Sequence, residues 1–371
     1  MALKMKGFFR IVWVLSLTLI ILGCKTKPAI GPSGRTSTEA VGFIDTHNHL
    51  HGQYGSHPGI RQSDYEGAAR VALDAMRRLG IKRMYIMPPP FSPDQPGRYT
   101  FEEMVFIVRK YPDRFAFLGG GGTLNVMIQE AVQTGKTAER LKNRFEKKAL
   151  EILSKGAVGF GELTAEHFSL GADHPYESAP PDHPLFLLLS DIAAQRGVPI
   201  DIHMEAIPED MPLPDVRRLH SPRNPQVLRA NIAAFERLLS HNRNSKIIWA
   251  HVGWCNTGFR TAALCAELFE RHPNLYMSFK IRPDSMVETR PFTEEGRIKS
   301  EWRNLILKYP ERFVIGNDHF YTTPRSTAQI GPPLREGKGA ERLFDFLPPE
   351  IGRKIGHENP LRIFRLENPG R

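Results

Sequence analysis

The chain has 371 residues, 41% of them hydrophobic, and a formal net charge of +10. That length suits one large domain of the kind that barrels of about 250 residues and more form. The densest basic cluster, Arg217, Arg218, Arg223 and Arg229, has no interleaved aromatic residues to stack bases, which argues against a nucleic-acid-binding role. The charge reads as a solvated surface compatible with anionic lipid headgroups.

In chain order, Lys4, Lys6 and Arg10 form a basic leader, followed by an apolar run over 11–22. The run is shorter than the roughly 20 residues that a membrane helix needs, and reads as a targeting segment. It ends in ILGC, which resembles a bacterial lipoprotein box with Cys24 as the lipidated residue, so 1–23 is expected to be a signal peptide. Lys25 gives no aspartate retention signal, and the implied address is the periplasmic side of the cell envelope, at the outer membrane. Residues 24–40, rich in Pro, Gly, Ser and Thr, read as a flexible tether.

From residue 41 short apolar strands alternate with amphipathic helices. Strands are expected at 42–46, 82–88, 114–119, 156–162, 198–203, 246–251, 275–280 and 313–318. Helices are expected at 63–79, 101–112, 140–156, 184–197, 225–242, 259–273 and 301–309, with a last one at 340–346 before the segment ENPLRIFRL. Eight strand–helix units with strands apolar on both faces predict parallel pairing and an α/β fold, a (β/α)8 TIM barrel spanning 41–371 as a single large domain. An open doubly wound sheet is the alternative. Cys255 and Cys265 need not pair, and Cys265 sits in a helical pattern as a buried thiol.

The chemistry gathers at the strand ends. His47 and His49 in FIDTHNHL are two residues apart, so both imidazoles leave a strand on one side and can reach one cation. Glu162, His203, His251 and Asp318 close strands four, five, six and eight. In a parallel barrel these ends share one face, where the Pro- and Gly-rich connections after strands two, four, five, seven and eight would shape a pocket.

The set HxH, Glu, His, His, Asp at these positions resembles the amidohydrolase superfamily, and most closely its amidohydrolase-related ("amidohydrolase 2") family. The opening Asp45-x-His47-x-His49 is similar to that family's DxHxH, and ENPLRIFRL (358–366) to its closing GNPxRxFxL. The resemblance covers 41–366 and implies a metal-dependent hydrolase of a small-molecule amide, lactone or ester. His47, His49 and His203 would hold a divalent cation, zinc by donor type. Asp318 would contact both cation and water and move the proton, and His251 would bind a second cation or polarise the substrate carbonyl. Glu162 sets the count, one or two cations per chain, because a carboxylate there can bridge a pair. FGEL also resembles TatD-type nucleases, but GND replaces the ETD of that family at strand eight, and nuclease activity is not carried over.

Two other readings stay open: a one-metal decarboxylase of the same superfamily, and a non-catalytic small-molecule-binding lipoprotein. Lys280, Arg282 and Arg325 follow strands seven and eight and are candidate clamps for a substrate carboxylate or phosphate, with Trp254 an apolar wall. Asp45 reads as a support behind the ligands, and His51 as a cap of the first loop, with a third pocket imidazole the alternative. His319 should point away into packing, and His167 is a possible pocket residue. His220, His241, His272 and His357 read as solvated.

Overall fold

The computed structural model describes residues 42–55, 62–95, 97–171, 174–327 and 339–366. The leader, Cys24 and the tether lie outside the described residues. Eight parallel strands form the centre: β1 Phe43–His51, β2 Ile81–Ile86, β3 (Phe115–Phe117 and Gly119–Gly120), β4 Phe160–His167, β5 Pro199–Met204, β6 Lys246–Val252, β7 Leu275–Phe279 and β8 Phe313–Ile315. Pairing runs in sequence order, from β1 with β2 through Asp45 opposite Met84 to β7 with β8 through Met277 opposite Phe313, and β8 returns to β1 through Ile315 opposite Asp45. The ring is completed at β3. Its first segment pairs with β2, Met84 opposite Phe115, and its second with β4, Gly119 opposite Phe160. Only Leu118 lies between them, and it donates its N–H to Ile86 O at 3.0 Å. The expected TIM barrel is the observed fold.

Helices cover the outside: α1 Tyr65–Leu79, α2 Glu102–Lys110, α3 Leu124–Thr134, α4 Glu139–Ser154, α5 Pro184–Arg196, α6 Ile232–His241, α7 Ala262–Arg271 and α8 Ser300–Lys308. Local chemistry sets their ends. The Asp64 carboxylate accepts the Gly67 N–H at the start of α1, and Gly80 at φ 73° takes the left-handed turn that ends it. The apolar faces of α1 (Ala68, Ala72, Ala75, Met76) and α4 (Phe145, Ala149, Ile152) join Ile81, Met84, Phe117 and Phe160 in the layer between strands and helices. A second cluster at the N-terminal end of the ring (Ile44, Tyr85, Leu118, Ile248, Val314) is closed by Ile363 and Phe364 of the final helix, Asn359–Phe364.

Several expectations need correction. β1 runs on to His51, because His319–Thr322 continues beyond β8 and pairs with residues 48–51. β4 likewise starts later and ends later than 156–162, since Thr164 pairs with His203 and His167 with Glu177. Helix α3 was not anticipated. It turns two polar side chains inward: Asn125 Oδ1 accepts the Thr164 N–H at 2.9 Å, and Gln129 Nε2 donates to Thr164 O at 3.2 Å. The helix expected from 225 begins only at Ile232. Val227–Leu228 instead pairs antiparallel with Met211–Pro212, and the Ala230 N–H is taken by the Asp210 carboxylate at 2.9 Å. His272 is buried rather than solvated, its Nε2 3.0 Å from Glu236 Oε1. Cys255 and Cys265 are both free and buried.

Candidate metal centre

The alternation of β1 sends His47 and His49 to the inside of the ring, where Glu162 of β4 meets them. His47 Nε2 is 3.4 Å from Glu162 Oε2 and 3.9 Å from Asp318 Oδ1. His49 Nε2 is 3.3 Å and 3.0 Å from the same two oxygens. The other Glu162 oxygen, Oε1, is 2.9 Å from His203 Nδ1 and 3.0 Å from His251 Nε2. One carboxylate thus faces two separate pairs of histidines. His47, Glu162, His251 and Asp318 each present a donor atom within 4.8 Å of the others.

The surroundings fix which ring nitrogen looks inward. His49 Nδ1 is 2.9 Å from Met87 O, so Nδ1 carries a proton and Nε2 is the nitrogen turned to the centre. His47 Nδ1 lies 3.1 Å from Asp201 Oδ1, on the strand next to β4. Asp45 is tied instead to Asn317, accepting its N–H at 3.1 Å and its side-chain amide at 2.9 Å, which locks β1 to the turn carrying Asp318. His251 and Asp318 have φ of 69° and 54°, a left-handed backbone that costs non-glycine residues about 1–2 kcal/mol. Trp254 N–H closes the turn on His251 O at 3.0 Å, and Asp318 N–H donates to His47 O at 2.8 Å. These turns aim both side chains back over the ring.

The donors fit a divalent cation. His47 Nε2 and His49 Nε2 are buried and face only the Glu162 and Asp318 carboxylates, without a well-aligned hydrogen bond. Tetrahedral donors about 2.1 Å from a zinc ion stand about 3.4 Å apart, and the His47 and His49 nitrogens stand 3.0–3.9 Å from the Glu162 and Asp318 oxygens. Electrostatics agree. Burial disfavours charge on Glu162 and Asp318, but His47 beside the first and Lys280 beside the second hold both carboxyls well below the usual range. Burial and Lys280 push His251 well below an ordinary imidazole, leaving a neutral ring. Burial also opposes a proton on His47, yet Asp201 and Glu162 outweigh it and raise this histidine, so a bound cation would displace that proton.

The centre opens into a cavity of about 640 Å³, within the usual range for small-molecule sites. Lys280, Arg282 and Trp254 line it. Lys280 Nζ bonds Asp318 Oδ2 and stands 3.9 Å over the Trp254 ring. Arg282 is held by Asp284, Nε to Oδ1 at 2.9 Å. Arg325 does not join them: its side chain is 65% exposed, 3.0 Å from Tyr54 Oη and 3.5 Å from Asp64. His167 lines the cavity with its ring 4.4 Å from that of His203, and His174 follows at 4.8 Å. Burial, with His203 adding, keeps both of these rings neutral. His51 is a wall residue rather than only a loop cap, because β1 extends far enough to carry it to the mouth. His319 packs beside Tyr321, outside the lining. Sequence reasoning missed Asp201 as a partner of His47 and Arg218 as a residue lining the cavity. Asp201 shares the alternation of His203 in PIDIH and was readable from it, whereas nothing in the sequence separates Arg218 from its basic neighbours.

No curated protein matches the chain in sequence. Three of the solved structures that resemble it are distant in sequence. The first, described as organophosphate hydrolysis engineered from a promiscuous lactonase template, shares 13% identity over 88% of this chain and 96% of that one, with a TM-score of 0.49. A dihydroorotase from Campylobacter jejuni shares 14% over 88% and 84%, TM-score 0.45. A manganese-bound dihydroxybenzoic acid decarboxylase from Polaromonas shares 14% over 88% and 98%, TM-score 0.42. A sequence model for amidohydrolases matches residues 149–366, a span that carries Glu162, His203, His251 and Asp318. This match over more than half of the chain places the protein in the amidohydrolase family.

Proposed function

We propose that the protein is a metal-dependent hydrolase that cleaves an amide, lactone or ester of a small molecule at a two-cation centre. The observation that carries this reading is the division of Glu162, with Oε2 toward His47 and His49 and Oε1 toward His203 and His251. A carboxylate divided in this way would suit a pair of cations, one on each oxygen. Zinc matches the imidazole and carboxylate donors. His47, His49, Glu162 and Asp318 would hold one ion; Glu162, His203 and His251 would hold the other.

When bound, the cations supply Lewis acidity and lower the pKa of an attacking water. The protein's own groups do the rest. Asp318 is ionised, its Oδ2 engaged by Lys280, so Oδ1 can accept a proton and return it to the leaving group. His251 is neutral and can hydrogen-bond or ligate without a charge change. Trp254 supplies an apolar wall, and Lys280 and Arg282 favour a substrate that carries negative charge. We also propose attachment to the envelope through a lipid on Cys24, with the barrel in the periplasm at the outer membrane.

Elemental analysis of the purified full-length protein should find two divalent ions per chain, falling to one or none in Glu162→Gln. A panel of lactones, N-acyl compounds and esters should then reveal turnover. A single ion per chain with CO2 release from a hydroxybenzoate would replace this reading with a decarboxylase.

A further inference from the structure

We propose that the substrate is an anion whose carboxylate seats on Arg218, at the wall of the cavity opposite in character to the metal centre. The proposal rests on the reading above only in taking this cavity as the substrate site.

Arg218 lies on the short helical turn Arg217–Leu219, in the connection after β5, and is half-buried at the cavity wall. Its guanidinium is held by two neutral acceptors: Nε donates to Asn256 Oδ1 at 2.6 Å, and Nη1 to the main-chain oxygen of Asp284 at 2.9 Å. Nη2 is buried with no hydrogen-bond partner. The carboxylate that anchors this arrangement is one step removed. Glu205, fully buried, accepts both the N–H of Asn256, at 2.8 Å, and its side-chain amide. An amide between carboxylate and guanidinium fixes the orientation of Arg218 but leaves it with no carboxylate in direct hydrogen-bond contact. The side chain of Asp284 is likewise committed elsewhere, with both oxygens on Arg282 at 2.9 and 3.3 Å.

The wall therefore carries two guanidiniums, with the Asp284 carboxylate on Arg282 and the Glu205 carboxylate behind Asn256, and one N–H group of Arg218 is unfilled. A planar fork in this state matches a carboxylate better than any neutral group. Buried polar groups are ordinarily satisfied, so an unfilled N–H on a residue that lines a cavity points to a partner supplied by a ligand. Phe91, Tyr99, Trp254 and Phe320 line the same cavity and suit an apolar body joined to that carboxylate. The substrate class is thus an amphiphilic monoanion, with the hydrolysable carbonyl at one end and the acid at the other.

Calorimetric titration of the full-length protein with 4-phenylbutyrate and its neutral amide, 4-phenylbutanamide, tests this without turnover. The acid should bind at least tenfold more tightly, both in metal-loaded and in chelator-treated protein. Arg218→Gln should remove most of that preference. Asp284→Asn should strengthen acid binding severalfold, because Arg282 loses its competing carboxylate; a folding defect would give no such gain. Unchanged acid binding in Arg218→Gln, weaker binding in Asp284→Asn, or acid binding lost on chelation (a carboxylate sitting on the cations) would each overturn the proposal. Failure of every ester, lactone and amide to turn over would count against the hydrolase reading alone.

Discussion

Glu177 offers a clean measure of how burial controls charge behind the site. It pairs with His167 at the end of β4, and its Oε1 accepts from Asn125 Nδ2 at 2.9 Å while Oε2 is buried without a partner. Burial raises its pKa from 4.5 to about 8, with Asn125 opposing and Glu162 adding to the rise. The folded protein therefore holds a proton that the unfolded chain releases, and stability falls as pH climbs from 4.5 to 8. Over that interval, at 1.36 kcal/mol for each pH unit, the loss attributable to this residue is about 5 kcal/mol as an upper bound. Glutamine keeps the shape and has no proton to lose. Denaturant unfolding of wild type and Glu177→Gln at pH 5, 6, 7, 8 and 9 should show a small difference at pH 5. The variant's advantage should grow by several kcal/mol up to pH 8 and then level off. A difference that stays flat, or shrinks, between pH 5 and 8 would refute an uncharged Glu177.

Further outcomes follow from the same geometry. Asp318→Asn should lower kcat/KM by about 10²- to 10⁴-fold with the far-ultraviolet circular dichroism unchanged, because asparagine tolerates the left-handed backbone but takes no proton. Asp201→Asn weakens the hold on His47 Nδ1, and competition with a chelator should show about 10- to 100-fold lower metal affinity. Cys24→Ser should move the protein from the membrane fraction to the soluble fraction; retention in a washed membrane pellet would refute lipidation.

The barrel was legible because each strand is a short apolar run and each helix carries a recognisable stripe, and parallel pairing then leaves few choices. Histidines and acids at strand ends were legible for the same reason: period-two alternation and the shared face of a barrel convert sequence position into spatial proximity. The unread parts have different causes. The length of β1 depends on His319–Thr322, a partner some 270 residues away that no local pattern announces. Helix α3 buries Asn125 and Gln129 against β4, so its inward face looks half polar in the sequence. Residues 225–231 keep helical spacing, but Asp210 takes the Ala230 N–H and Val227–Leu228 pairs with Met211–Pro212. Arg218 looks like its solvated neighbours, and only Asn256, from the connection after β6, and Glu205, at the start of the same loop as Arg218, set it apart.

The division of β3 at Leu118 has an engineering consequence. One amino acid is the latch where the cylinder changes its grip from the preceding strand to the following one. A one-residue insertion there would reverse the inside–outside sense of Gly119 and Gly120 relative to Phe115–Phe117 and slip the seam beside Glu162. Circular permutants cut in the outer loops should close normally, whereas those opened at this seam should yield an unzipped sheet.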